Sequence, residues 1–227
     1  MKNIILIGAT GLVGSNVLKL LKDKENISVT CLVRTPNKIE TGKNIKEIVF
    51  NFDSDEEYKK IGAEIPCSIF FCCIGTTLSK VKSLENFYKV DKEYPIKFIE
   101  SIKKNAPNTL FVFISSIGVS NPRGYYLSTK CEVEKAITKS LLHYIIIRPS
   151  VLLGKRNEFR IVEKLGGFFL GKIEKICKNL KIDELLAISK YSPIEASKAA
   201  EVMVYHALNF DNSMPGMVLE GDSLVNF

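Results

Sequence analysis

Tryptophan is absent from the 227 residues, and histidine occurs only twice, as His143 and His206. The two histidines lie far apart without clustered carboxylates, and none of the six cysteines forms a CxxC pair, which argues against a zinc site. No run of about 18 apolar residues occurs, so a membrane-spanning helix is not expected. The N-terminal apolar run 3–7 stops at Gly8 and is too short for a secretory h-region. Internal repeats and linker-like stretches are also missing. Most of the cysteines sit in apolar runs, where a free thiol behaves as a small hydrophobe, and this reads as a reduced, cytoplasmic protein. Cys72 and Cys73 are adjacent, and in a strand they would face opposite sides of a sheet.

What is present is ample material for a core. Hydrophobic residues make up 46% of the chain and charged ones 25%, a balance that excludes disorder, collagen-like repeats and low complexity. The length suits one domain over 1–227, with 150–195 as a small segment on the substrate side.

The net charge is +7, and it is regional. Between residues 155 and 181 there are eight basic and three acidic side chains, a net of +5. A basic chain invites a nucleic-acid reading, yet Phe159, Val162, Leu165, Phe168 and Phe169 alternate with these charges at core-like spacing, which weighs against it. The plainest reading is one or two helices that cover a cleft and keep a solvated basic face. Recognition of an anionic substrate is a sharper one, and peripheral attachment to an acidic membrane surface or protein partner is another.

Along the chain, short β-branched or aromatic runs alternate with amphipathic stretches. Strands are expected at 3–7, 27–33, 47–52, 68–74, 110–115 and 144–147, and helices at 12–22, 84–103, 126–140 and 194–208. Near-continuous apolar strands at this spacing predict an α/β fold: a Rossmann-like doubly wound parallel sheet with a short C-terminal segment covering the substrate.

Two motifs carry chemistry. Gly8-Ala9-Thr10-Gly11-Leu12-Val13-Gly14 follows the first strand and opens a helix. Gly8 suits the tight turn, Gly11 admits a pyrophosphate near the backbone, and Gly14 permits close helix–strand packing, with the helix N-terminus facing the phosphates. At the end of the second strand, where an NAD site would present a carboxylate, stand Arg34 and Thr35. A guanidinium suits a 2′-phosphate, so NADP (NADPH) is favoured over NAD, against the alternative of a solvated loop arginine. Asp53 is a candidate acceptor for the adenine amino group, or equally a cap for the next helix. The second motif, Tyr126-Leu127-Ser128-Thr129-Lys130, sets a phenol and an ammonium one helical turn apart, the pairing that makes a tyrosine usable for proton transfer near neutral pH. Ser115 and Ser116 close the fifth strand, where a hydroxyl can hold a substrate carbonyl.

Together with Phe71–Thr77, Val90-Asp91, Ser115–Gly118, Glu132–Glu134 and Arg148-Pro149, these motifs make the chain resemble the short-chain dehydrogenase/reductases. The likeness is to the extended or atypical branch near the epimerase/dehydratase group, and most of all to the Tat-interacting-protein-like oxidoreductases. It covers about residues 1–155. The resemblance implies Tyr126 as general acid/base, Lys130 at the nicotinamide ribose, and Ser116 (Ser115 as the alternate) orienting the carbonyl. It also implies Gly75 and Thr76 along the cofactor and the loop after Arg148, including Pro149 and Val151, at the nicotinamide end. Many relatives carry Asn on the central helix, where this chain carries Asp91, and its C-terminal part is short for a nucleotide-sugar enzyme.

The function expected is therefore an NADP-dependent oxidoreductase acting on a small carbonyl or alcohol substrate. The alternatives are an NADP(H)-binding regulatory or scaffold protein and, third, an epimerase or dehydratase.

Overall fold

The computed structural model describes residues 1–154 and 193–225. The basic stretch 155–181, Cys177 and most of the 150–195 segment lie outside the described residues. The described strands are β1 (Lys2–Ile7), β2 (Ile27–Val33), β3 (Ile45–Val49), β4 (Ile69–Cys72), β5 (Leu110–Ile114), β6 (His143–Arg148), β7 (Leu152–Leu153), β8 (Ile194–Glu195) and β9 (Gly216–Glu220). The helices are α1 (Leu12–Leu21), α2 (Asp55–Lys59), α3 (Leu78–Val81), α4 (Leu84–Tyr88), α5 (Tyr94–Asn105), α6 (Gly124–Lys139), α7 (Ala196–Leu208) and α8 (Asp222–Val225), with a π-helical turn at Lys89–Glu93 between α4 and α5.

Seven strands form one parallel sheet in the order β3-β2-β1-β4-β5-β6-β9. The chain winds outward from β1 to β3 and then, from β4, in the other direction. The strand order therefore reverses between β1 and β4, and a crevice opens there at the carboxyl ends of the strands.

Strand alternation feeds two cores. Ile4, Leu6, Val29, Phe71 and Val112 face one side of the sheet and pack with Val13, Val17 and Leu21 of α1 and Ala200 and Met203 of α7. Ile5, Ile7, Phe70, Phe111 and Phe113 face the other and pack with Tyr58, Phe98, Ile102, Val133 and Ile137. Each such side chain contributes about 1.5–3 kcal/mol when removed from water, and burial on both faces explains why the strands read as unbroken apolar runs. Cys72 and Cys73 do fall on opposite faces.

Beyond short pieces such as α3, β7, β8 and α8, and a fourth strand that ends at Cys72, three departures from the sequence expectation stand out. The third strand ends at Val49, not at 52. Phe50 and Phe52 remain buried, but as loop residues in an aromatic cluster, their rings 5.0 Å apart and Phe50 5.3 Å from Tyr58. The helix expected over 84–103 is interrupted by the π-turn, immediately before Pro95 in the first turn of α5. Proline has no N–H to continue the ladder, and its ring crowds the preceding turn. Finally β9, a seventh strand at the sheet edge, pairs with β6 (Ile146 with Val218) although its sequence GMVLE carries no clean alternation.

Candidate active site

The glycine turn occupies the crevice at the β1–β4 switch point. Gly8 has φ +80°, the left-handed region, and a Cβ there would lie 2.4 Å from the Cys73 carbonyl oxygen. Gly14 is closer still to its neighbour, since a Cβ would fall 2.1 Å from the Gly8 oxygen. These contacts bring α1 hard against the end of β1. Gly11 is the N-cap of α1, and the first helical bond runs from Ser15 N–H to the Gly11 carbonyl at 3.0 Å. The amides of Leu12, Val13 and Gly14 precede that bond and face the end of the turn, where an anion is best held. Val13 is itself buried in the core and Leu12 is part-buried against Gly154, so these residues are suited to offer backbone rather than side chain. Thr10 is exposed beside them. The turn fits a dinucleotide.

Arg34 and Thr35 are exposed just beyond β2. The Arg34 guanidinium lies over two rings, 5.7 Å from the Phe52 centroid and 5.8 Å from that of Tyr94, in the cation–π range. With Asn51 and Asp53 these residues line a cleft of about 340 Å³. Asp53 does not cap α2, whose N-cap is Ser54. It accepts instead from the Tyr94 hydroxyl at 2.6 Å and from Lys89 at 2.9 Å, and these two partners hold its carboxyl below the usual range. Burial, reinforced by that hydrogen bond, pushes the Tyr94 hydroxyl up to about 12.

Tyr126 and Lys130 lie on α6 one turn apart, Tyr126 part-exposed and Lys130 only 4% exposed. The Lys130 ammonium sits 5.0 Å from the Phe113 ring, 3.5 Å from the Ile114 carbonyl and 3.4 Å from Asp91 Oδ1. Burial works against its charge, but Asp91 first, then Tyr126 and Cys72, outweigh it, and the Lys130 pKa ends above the ordinary value. Asp91 Oδ2 accepts from the Thr76 N–H at 2.8 Å, fixing the loop that leaves β4. Burial raises the Asp91 pKa, against the pull of Lys130 and Thr76. Beside Thr76, Gly75 is exposed, and the buried Thr77 hydroxyl oxygen has no hydrogen-bond partner among the described residues. A buried orphan hydroxyl on the loop that leaves β4 is a place for a ligand atom.

The serine pair divides. Ser115 is buried and donates to Glu134 Oε1 at 2.5 Å, so its hydroxyl is already engaged. Ser116 is part-exposed, its hydroxyl meeting only the Ile117 carbonyl, at 3.3 Å, among the described residues. After β6, Pro149 accepts from Ile117 N–H at 2.9 Å and Val151 from Ile194 N–H at 2.9 Å, which brings that loop beside Ser116.

The crevice thus gathers Gly8–Gly14, Gly75, Thr76, Ser116, Tyr126, Lys130 and the loop at Pro149 and Val151, while Arg34 and Asp53 line the cleft beyond β2 and Thr35 is exposed next to Arg34. Glu134 and Thr77 were given no individual role from the sequence. For Glu134 the signal was available, because 126, 130 and 134 repeat every four residues along one helix face. No three potential metal ligands cluster among the described residues.

Comparisons with known proteins place this geometry. The sequence pattern of a family described as NAD(P)H-binding matches residues 8–176. "Protein FMP52, mitochondrial" of Candida albicans is 30% identical over 228 residues, covering 97% of this chain and 95% of that protein. The protein of the same name from Meyerozyma guilliermondii is 32% identical over 227 residues, covering 98% and 93%. Among solved structures, a short chain dehydrogenase family protein from Francisella tularensis superposes with TM-score 0.68 at 14% identity over 96% of each chain. The Bordetella bronchiseptica enzyme WbmH, in complex with NAD+, gives 0.70 at 15% identity over 97% of this chain and 75% of that one. At such identities the likeness speaks for the fold, which is that of the short-chain dehydrogenase and epimerase/dehydratase class.

Two expectations are revised. The relatives found are FMP52 proteins, not specifically Tat-interacting proteins. The cytoplasmic expectation is contradicted, because these relatives are named mitochondrial. Its grounds were weak physically: a missing secretory h-region bears on the secretory route, and reduced thiols are not peculiar to the cytosol. A glycine turn at the switch point of a parallel sheet, the match over residues 8–176 and full-length relatives above 30% identity together mean that the chain belongs to the NAD(P)H-binding family, alongside the FMP52 proteins.

Proposed function

We propose that the protein is an NADP-dependent oxidoreductase that acts on a small carbonyl or alcohol substrate. The observation that carries this reading is the Tyr126–Lys130 pair, one turn apart on α6, with Lys130 buried and charged at the carboxyl ends of β4 and β5. When bound, the dinucleotide supplies or accepts a hydride at the substrate carbon. Tyr126 holds the proton at its hydroxyl and passes it to the substrate oxygen, or takes it back in the reverse direction. The Lys130 ammonium, one turn along the same helix, would hold the ribose hydroxyls of the bound dinucleotide. Ser116, with its hydroxyl only weakly engaged, orients the carbonyl. The amides after Gly11 would hold the pyrophosphate, and Gly75, Thr76, Pro149 and Val151 would line the rest of the cofactor site. Arg34, lying over Phe52 and Tyr94, favours a 2′-phosphate and hence NADP over NAD.

Fluorescence titration with NADPH and a panel of carbonyl substrates, run on the wild type and Tyr126→Phe, tests the reading. Both proteins should bind NADPH, and the variant should turn over at least about a hundredfold more slowly. Binding by both with turnover by neither would favour an NADP(H)-binding regulatory or scaffold protein. The names of the FMP52 relatives support a mitochondrial location. Imaging of the tagged full chain against a mitochondrial marker tests it, and a wholly cytosolic signal would overturn it.

A further inference from the structure

Asp91 is 1% exposed, between the sheet and α6, where the packing needs no carboxylate. Burying an ion pair costs much of the Coulombic gain in lost hydration, and an apolar pair of the same size would pack as firmly. The backbone nevertheless departs from α-helix to present this residue, since Asp91 is the central residue of the π-turn Lys89–Glu93. Such turns are rare and occur often at functional sites. One carboxylate then meets two elements of the crevice: Oδ2 takes the Thr76 amide from the loop after β4, at 2.8 Å, and Oδ1 faces the Lys130 ammonium of α6, at 3.4 Å.

The other groups around Lys130 do not replace it. Tyr126 comes from the same helix, the Phe113 ring and Ile114 carbonyl from β5, and the Cys72 and Cys73 thiols from the end of β4. Burial keeps both thiols protonated. Among the described residues, the carboxylate facing Lys130 is Asp91.

We propose that Asp91 is a positioning residue, which the π-turn delivers to lock the Lys130 ammonium and the Thr76 amide onto one carboxylate. It keeps Lys130 charged inside an apolar site and ties the loop after β4 to the catalytic helix. Asparagine at this position would still accept from Thr76 but would leave Lys130 without a counter-charge, and burial would then favour the neutral amine. The inference rests on the proposed function only for what Lys130 is held towards, the bound dinucleotide.

The test follows the Lys130 charge directly. In protein labelled with ¹³Cε-lysine, the Lys130 signal is assigned with Lys130→Arg and titrated in the wild type and in Asp91→Asn. Lys130 should lose its proton about one to three pH units lower in the variant, the range expected for removal of an adjacent opposite charge. In parallel, NADPH affinity should fall with rising pH in Asp91→Asn over a range where the wild type is flat. An unchanged Lys130 titration overturns the proposal. If Asp91→Asn fails to fold, the double variant Asp91→Asn/Lys130→Met decides. Recovered cooperative unfolding in urea supports the pair, because the orphaned cation is gone, and a double variant no better than the single overturns it. A wild type that binds no dinucleotide, while Lys130 titrates as expected, would sink the functional reading and leave the Asp91–Lys130 lock standing.

Discussion

Arg148 and Glu134 meet side-on, with Nη2 2.6 Å from Oε2 and Nε 3.1 Å from Oε1. The bidentate pair joins the end of β6 to α6. Ser115 donates to the same carboxylate from the end of β5, while the remaining Arg148 nitrogen, Nη1, reaches Ser120 at 2.8 Å and Glu220 of β9 at 3.0 Å. The ends of β5, β6 and β9 and the helix α6 are therefore fastened through one guanidinium and the carboxylate it grips. A planar fork suits this better than a lysine ammonium would.

The inner and outer halves of this cluster should differ in weight. Glu134→Ala leaves a largely buried guanidinium without its main partner and should cost about 3–5 kcal/mol. Glu220 is partly exposed, and Glu220→Ala should cost no more than about 1 kcal/mol. Urea unfolding of both variants measures the contrast. Equal losses would mean that the outer contact, rather than the buried fork, secures the strand ends.

Gly14→Ala should damage stability and cofactor binding together. The new Cβ would sit 2.1 Å from the Gly8 carbonyl oxygen, which is main chain and cannot swing aside as a side chain would. Overpacking of this kind costs about 1–3 kcal/mol, and the shift would displace the turn whose amides face the phosphates. Thermal unfolding and NADPH titration check the two effects. A variant with the wild-type melting temperature and affinity would show that the turn is looser than its contacts imply.

The buried thiols set an alkaline limit. Burial pushes Cys31, Cys67 and Cys72 from an ordinary 9.0 up to about 12. A raised native pKa contributes stability that is full below the unfolded value and is lost as pH climbs through the native one. Stability should therefore decline from about pH 9 towards 12, and native protein at pH 8 should leave Cys31 and Cys72, both wholly buried, unmodified by Ellman's reagent until denaturant is added. Rapid labelling of Cys72 in the native state would contradict the burial on which this rests.

Much of the sheet was legible because strands buried on both faces cannot hide: Ile4 to Ile7 and Phe70 to Cys72 permit little besides a covered parallel sheet. The glycine turn and the Tyr126–Lys130 spacing were legible for the same local reason, since each motif lies within one element. What escaped depends on contacts between distant parts of the chain. The strand at Gly216–Glu220 has no periodicity of its own and is held by pairing with β6. The break at Lys89–Glu93 follows from Pro95 and from the inward demand of Asp91, which only the fold sets beside Lys130. The different fates of Ser115 and Ser116 are likewise decided by Glu134, 19 residues away from Ser115. Sequence periodicity reports the face a side chain takes, not the partner it meets there.

Cofactor preference turns on Arg34. Its guanidinium is held over Phe52 and Tyr94 at the rim of the cleft beyond β2, and the nearby Asp53 carboxylate is already engaged by Tyr94 and Lys89. An arginine so placed can meet a 2′-phosphate without first breaking a salt bridge of its own, since the adjacent carboxylate has other partners. Its loss should remove charge-assisted hydrogen bonds of about 1.5–3 kcal/mol, roughly a ten- to hundredfold weakening of NADPH. NADH has no 2′-phosphate and should be affected far less by Arg34→Ala. Fluorescence titration of both cofactors against both proteins reads the difference directly. Equal weakening of NADPH and NADH would show that Arg34 supports the adenine cleft through its two rings and does not select the phosphate.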